Sequence, residues 1–151
     1  MADVDLYSHP EKYELFQSKR QDYVGAIKMA ILLALKNAPA KKELVIADFC
    51  CGTGSNTKLF SHKNPLRKAI LVDINKGFLE IAKESEIHSK EIKALCKNVL
   101  NAKFSKEADI VFSIFAYHHI PNSKKYLYLK KVKSVLKKGG VFVLAEIYFP
   151  D

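Results

Sequence analysis

A chain of 151 residues that is 48% hydrophobic is long enough to bury one substantial core and too apolar to be a disordered tail. Its formal net charge of +9 rests almost wholly on lysines spread along the expected helices, so a solvated lysine surface is favoured over a face for nucleic acid or an anionic membrane. No apolar run approaches the roughly 20 residues of a membrane span, the acidic start Met-Ala-Asp-Val-Asp differs from a secretory leader, and three cysteines, two of them adjacent, make neither a disulfide framework nor a zinc set, so a cytoplasmic protein without a metal site is expected.

Residues 3 to 17 mix aromatics with Pro10 and predict an irregular arm with a short helix. From about Ser18 to Asn37, Tyr23, Ile27, Ile31 and Leu35 recur every fourth position, the spacing of an amphipathic helix that Pro39 ends. Val45, Ile46, Ala47 and Phe49 then form a short, nearly continuous apolar run, read as a strand buried on both faces. The run stops at Gly52 and Gly54, which supply backbone angles other residues resist and remove the Cβ that would hold a ligand off the main chain. A helix from about Ser55 to His62 aims its first free N–H groups at that ligand. The stretch 44 to 57 therefore reads as a cofactor cradle. A dinucleotide fingerprint would need a third glycine where Thr57 stands, and no Gly-Lys-Ser/Thr phosphate loop follows. The Asp48 carboxylate repels a pyrophosphate and tolerates a cationic ligand such as a sulfonium.

Ala69 to Val72 reads as the second buried strand and delivers Asp73 to its tip, 19 residues beyond Gly54, the spacing at which an acidic side chain accepts ribose hydroxyls. Asn75 is the expected cap of a helix over Lys76 to Ser85. A third short strand, Ile92 to Cys96, precedes Asn98, a turn residue on its own. Asp109 to Phe115 is the next central strand and runs into Ala-Tyr-His-His-Ile-Pro. His118 and His119 are adjacent and point different ways, so at most one is expected to face a site. An amphipathic helix over Ser123 to Leu136 is expected to stop at Gly139 and Gly140 through a left-handed cap, and Val141 to Ile147 to form a fifth strand. This alternation implies a doubly wound, mostly parallel α/β sheet with right-handed crossovers.

Asp48-Phe-Cys-Cys-Gly-Thr-Gly54 resembles motif I of the class I S-adenosylmethionine (SAM)-dependent methyltransferases, with Cys50 where the first glycine usually stands. The Cys-Cys-Gly-Thr-Gly version is similar to loops of ubiquinone and menaquinone C-methyltransferases, and the general pattern covers about residues 43 to 147. The resemblance implies a Rossmann-like methyltransferase fold and SAM held by Asp48, Cys50, Gly52, Gly54, Asp73, Ile74, Asn98, Val99 and Phe115. In it Asp73 takes the ribose, Asn98 accepts from the adenine amine, the Val99 N–H reaches the ring, and Phe115 surrounds the methionine end. Tyr117, His118 and His119 stand where an acceptor arrives and are the catalytic candidates, with Glu146 a weaker one. Tyr7, Tyr13 and Phe16 are lid candidates, and the chain is expected to be a single domain overall, with an N-terminal arm and helices (residues 1–40) as lid or cap on a SAM-binding α/β core (41–151).

The implied partner is a small or medium-sized methyl acceptor rather than nucleic acid. The rival readings are a catalytically incomplete SAM-binding module, a subunit needing a partner and, less favoured, a nucleotide-dependent oxidoreductase. The family's sheet has seven strands, the last two an antiparallel hairpin, whereas this sequence halts after five. The expectation is that the edge over Val141 to Ile147 is covered by self-association or by the arm, or that the chain is a shortened version of a longer protein.

Overall fold

Five parallel strands form one sheet in the computed structural model, which describes residues 7–146. In chain order the elements are α1 (Pro10–Ser18), α2 (Gln21–Asn37), β1 (Leu44–Phe49), α3 (Ser55–Ser61), β2 (Leu66–Asp73), α4 (Lys76–Glu84), β3 (Ser89–Cys96), β4 (Ala108–Ile114), α5 (Lys125–Val135) and β5 (Leu136–Ala145), with short 3₁₀ turns at Tyr117–His119 and Asn122–Lys124. The spatial order β3-β2-β1-β4-β5 places β1 at the centre, which is why every residue of that run is buried. Chain order reverses direction between β1 and β4, so the carboxyl ends of these two strands open a crevice at the switch point.

Two apolar layers cover the sheet. Ile27, Ala30, Ile31 and Ala34 of α2 share one core cluster with Phe60, Leu79 and Ala82 and with β-strand residues such as Ile46, Leu71 and Phe112. Tyr128, Val132 and Val135 of α5 close the other side against Val45, Phe49, Ile70 and Val111. In this way α2, which falls within the expected cap of residues 1–40, packs directly against the sheet. Asn75 caps α4 through its side chain, which accepts from the Phe78 N–H at 3.3 Å.

The sequence reading fails at the glycine pair. α5 ends at Val135 and the chain passes directly into β5, so Gly139 and Gly140 lie within a strand and cap no helix. Residues 137–140 form an irregularity between the pairs Ala108↔Leu136 and Ile110↔Val141. Gly139 takes the left-handed conformation there (φ +77°), and a Cβ on Gly140 would lie 3.0 Å from the Asp109 carbonyl oxygen and 2.7 Å from a Leu136 methyl group. The spacing of two glycines after a helix is common to a cap and to a bulge, and the contact with β4 decides it. β5 is a sheet edge among the described residues; Ile147, its expected last residue, and the arm before Tyr7 lie outside them.

Candidate cofactor and acceptor crevice

Two residues other than glycine take left-handed backbone angles among the described residues, Cys50 (φ +57°) and Phe115 (φ +53°), and both end central strands at the crevice. A bulky side chain in this region stores strain that persists only where surrounding contacts hold it. At Cys50 the conformation turns the chain out of β1 into the glycine loop, which explains why a glycine suits that position in similar loops. At Phe115 the N–H still donates to the Ala145 carbonyl (2.8 Å), while the ring leaves the sheet and stacks on Tyr23 with centroids 4.5 Å apart. Gly52, also left-handed at φ +54°, would have nothing within 4 Å of an added Cβ, so its main chain borders open space.

Asp73 links the two neighbouring strand ends. One oxygen accepts from the Gly52 N–H and the other from the Asn75 N–H, each at 2.8 Å. These bonds leave acceptor sites on the carboxylate for further donors. Across the crevice the arm supplies a roof: Tyr7 and Tyr13 pack on each other and on Phe78, Tyr7 lies edge-on to His119 at 6.1 Å, and the Asn75 amide donates to the Tyr7 carbonyl at 2.9 Å. Gly77 makes this seat, since a Cβ there would lie 3.1 Å from Pro10. The space enclosed is about 490 Å³, within the range of small-molecule sites.

Of the residues singled out in the sequence, Cys50, Gly52, Asp73, Ile74, Asn98, Val99, Phe115 and His119 line this crevice. Asp48, Gly54, Tyr117 and His118 do not, and each has another place. Asp48 is buried beneath the loop, accepting the Thr57 hydroxyl at 2.7 Å, so the residue in the third-glycine position holds the aspartate instead of freeing a helix. Burial, with a smaller push from the charge of Asp73, raises its carboxyl to about 7 against the opposing bond from Thr57, so near neutrality much of it is uncharged and its repulsion of an anion is weak. Gly54 begins α3 at φ +75° and lets α4 approach: a Cβ would stand 3.1 Å from that of Ala82. Tyr117 packs on Tyr128 beneath the Lys125 ammonium. His118 pairs with Glu146, its N–H donating at 2.9 Å and its Nδ1 lying 2.5 Å from the second oxygen.

His119 is the histidine that faces the crevice. Burial and the neighbouring His118 both hold its pKa below the usual 6.5, so it is a neutral imidazole at neutral pH. Burial pushes the Cys50 thiol up to about 12, leaving it a protonated, poorly nucleophilic group. Asn98 lines the crevice while its side-chain oxygen accepts from the Leu100 N–H at 2.9 Å, the behaviour of a turn residue. Phe16 is exposed and lies off the crevice.

Sequence reading missed Tyr23, whose place in the helical repeat reads only as core, and Asn56. Asn56 is 6% exposed, lines the crevice, and its Oδ1 has no hydrogen-bond partner; Oδ1 of Asp48 is orphaned in the same way. A buried acceptor left unpaired in a residue of the crevice lining, as in Asn56, fits a ligand that brings N–H or ammonium donors. With the Asp73 carboxylate at the other end for hydroxyls, the donor set fits an adenosyl amino acid.

The fold and the strained switch-point crevice define a doubly wound α/β ligand-binding domain. Residues 46–140 match the methyltransferase domain family, and the chain belongs to that family. It is 31% identical over 111 residues to the ubiquinone/menaquinone biosynthesis C-methyltransferase UbiE of Campylobacter jejuni, a match covering 70% of this chain and 46% of that protein. It is 28% identical over 119 residues to the demethylmenaquinone methyltransferase of Staphylococcus aureus, covering 77% and 48%. Among solved structures, DesVI of Streptomyces venezuelae superposes with a TM-score of 0.73 over 94% of this chain and 58% of that one at 19% identity, a likeness of fold. The chain thus spans about half the length of the curated relatives it matches.

Proposed function

We propose that this chain binds SAM in the crevice and transfers its methyl group to a small or medium-sized acceptor. The observation that carries the reading is the pair of left-handed, non-glycine strand ends, Cys50 and Phe115, flanking an aspartate-tethered glycine loop in a chain of the methyltransferase domain family. In this reading Asp73 takes the ribose hydroxyls and Asn56 the amino-acid end, supported by the acceptor sites left on Asp73 and the unpaired Asn56 oxygen. When bound, SAM supplies a methyl group that its sulfonium already makes electrophilic. The chain's own task is to hold donor and acceptor in line and exclude water, which the Tyr7, Tyr13 and Phe78 roof serves. Where the acceptor enters protonated, neutral His119 is the group able to take that proton. Tyr117 and His118 support this wall from behind.

Calorimetric titration with SAM and S-adenosylhomocysteine tests the reading. Asp73→Asn loses the charge and keeps an acceptor for only one of the Gly52 and Asn75 N–H groups, and the expected result is a loss of SAM affinity of at least about 10- to 100-fold, the loss of one charge-assisted bond of about 1.5–3 kcal/mol. Equal affinity of wild type and variant would remove Asp73 from the site. NADH, titrated in parallel, is expected not to bind. Demethylmenaquinol is the first acceptor to try, given the activities named for the two relatives.

Among the described residues no strand pairs with the outer edge of β5, which carries exposed Leu144, and we infer that self-association covers it. Light scattering is expected to give a dimer mass at micromolar concentration, and Leu144→Lys a monomer. No helix among the described residues is long and apolar enough to cross a membrane. Three free thiols support a reducing, cytoplasmic setting.

A further inference from the structure

We propose that the outward face of α5 docks the protein on an anionic phospholipid surface. Residues 110 to 145 hold seven lysines and no carboxylate, in a chain whose whole excess is nine. Tyr128, Val132 and Val135 turn one side of α5 to the sheet, so the opposite side presents Tyr126, Lys130 and Lys133, flanked by Leu127 and Leu129. Tyr126 is 68% exposed and the two leucines 43% and 42%. Folding also brings exposed Lys103 alongside, because the Lys131 ammonium donates to the Ala102 carbonyl at 2.7 Å and ties that loop to the helix. Among the described residues no ion pair engages Lys124, Lys130, Lys133 or Lys138, whereas Lys137 pairs with Asp109. Lys130 and Lys133, with Lys124 at the helix start and Lys103 on the tied loop, therefore give this face a local excess of positive charge, unpaired among the described residues, that the spread of lysines along the sequence does not reveal.

The side chains favour lipid over nucleic acid. The chain has two arginines, Arg20 and Arg67, and neither lies in this stretch, so the forked donors that read phosphates and base edges are lacking there. Instead, a tyrosine under the Lys130 ammonium (4.6 Å) and two exposed leucines interleave the lysines, the mixture of amphipathic and cationic groups that settles at the headgroup level. The amino end of α5 adjoins Tyr117 and Ile120, so docking there leaves the crevice next to the surface. The proposal stands on this face alone and is independent of what the crevice binds.

Cosedimentation of the full chain with vesicles tests it. On phosphatidylcholine mixed equally with phosphatidylglycerol, the wild type is expected to partition at low salt and to be released steeply as salt rises; on pure phosphatidylcholine it is expected to stay in solution. The double variant Lys130→Glu, Lys133→Glu is expected to bind more than about tenfold more weakly. Equal partition onto neutral vesicles, no partition onto either, or undiminished binding by the double variant overturns the proposal. So does tighter binding of duplex RNA than of anionic vesicles in the same buffer, which reassigns the face to nucleic acid. The lipid and salt dependence of the wild type decides the matter even where the variant folds poorly.

Discussion

Replacing Asp109 by alanine is expected to cost about 3 kcal/mol of stability, a large part of what a domain of this size has. Asp109 opens β4 at the end of the sheet away from the crevice, where three segments converge. One oxygen accepts from the Lys41 ammonium at 2.7 Å and the Lys137 ammonium at 3.2 Å, and the other from the Val45 N–H at 2.9 Å. The carboxylate thus pins the start of β1, the start of β4 and the irregular first turn of β5 together. Burial by itself would push the carboxyl up, but the bonds from Lys41, Val45 and Lys137 outweigh it and hold it below the usual 3.8. Stability from this group is therefore present above pH about 4 and lost as pH falls through the lowered value. Alanine leaves the Val45 N–H buried without an acceptor. The estimate sits at the low end for a broken buried ion pair because the Lys41 and Lys137 side chains are 48% and 33% exposed and regain water. Urea unfolding measures it; a variant within about 1 kcal/mol of wild type would show the cluster to be ornamental. Asp109→Asn, which keeps the acceptor for Val45, is expected to fall between the two.

The strands are legible in the sequence because a buried parallel sheet writes itself as short, mostly apolar runs, and β1 and β4 are buried from end to end with only Asp48, Asp109 and Ser113 interrupting the apolar residues. Asp73 was legible because its position follows from strand length plus one turn. What escaped depends on contacts between segments distant in sequence. Gly140 is glycine because of the Asp109 carbonyl, a residue of another strand, so a local rule assigned the pair to a helix cap. Position after β4 puts Tyr117 and His118 near an acceptor in the sequence, whereas in the 3₁₀ turn Tyr117 packs on Tyr128, His118 pairs with Glu146, and His119 faces inward. Asn56 follows the glycine loop as an ordinary polar residue, and only a buried, unpaired oxygen in a residue of the crevice lining distinguishes it.

Asp48 carries the second large effect, with the opposite sign to Asp109. Its carboxyl titrates at about 7 in the folded chain and near 3.8 unfolded, so between those values the folded state binds the extra proton. Stability attributable to this residue is present at low pH and falls as pH rises through about 4 to about 7, at up to about 1.4 kcal/mol per unit, and then levels off. The cause is burial first: the side chain is 1% exposed, one oxygen accepts from the Thr57 hydroxyl, and the other has no partner. Asp48→Asn keeps an acceptor for Thr57 and cannot ionise, so its thermal midpoint is expected to stay level from about pH 5 to about pH 8 while that of the wild type drops by several degrees. Above neutrality the asparagine variant should be the more stable of the two. Parallel profiles would place the charge elsewhere and would mean that water reaches the orphaned oxygen. Because Asp48 lies directly under the glycine loop, the same measurement with SAM present reports whether filling the crevice shifts the titration, which links the buried carboxylate to the ligand without requiring any contact between them.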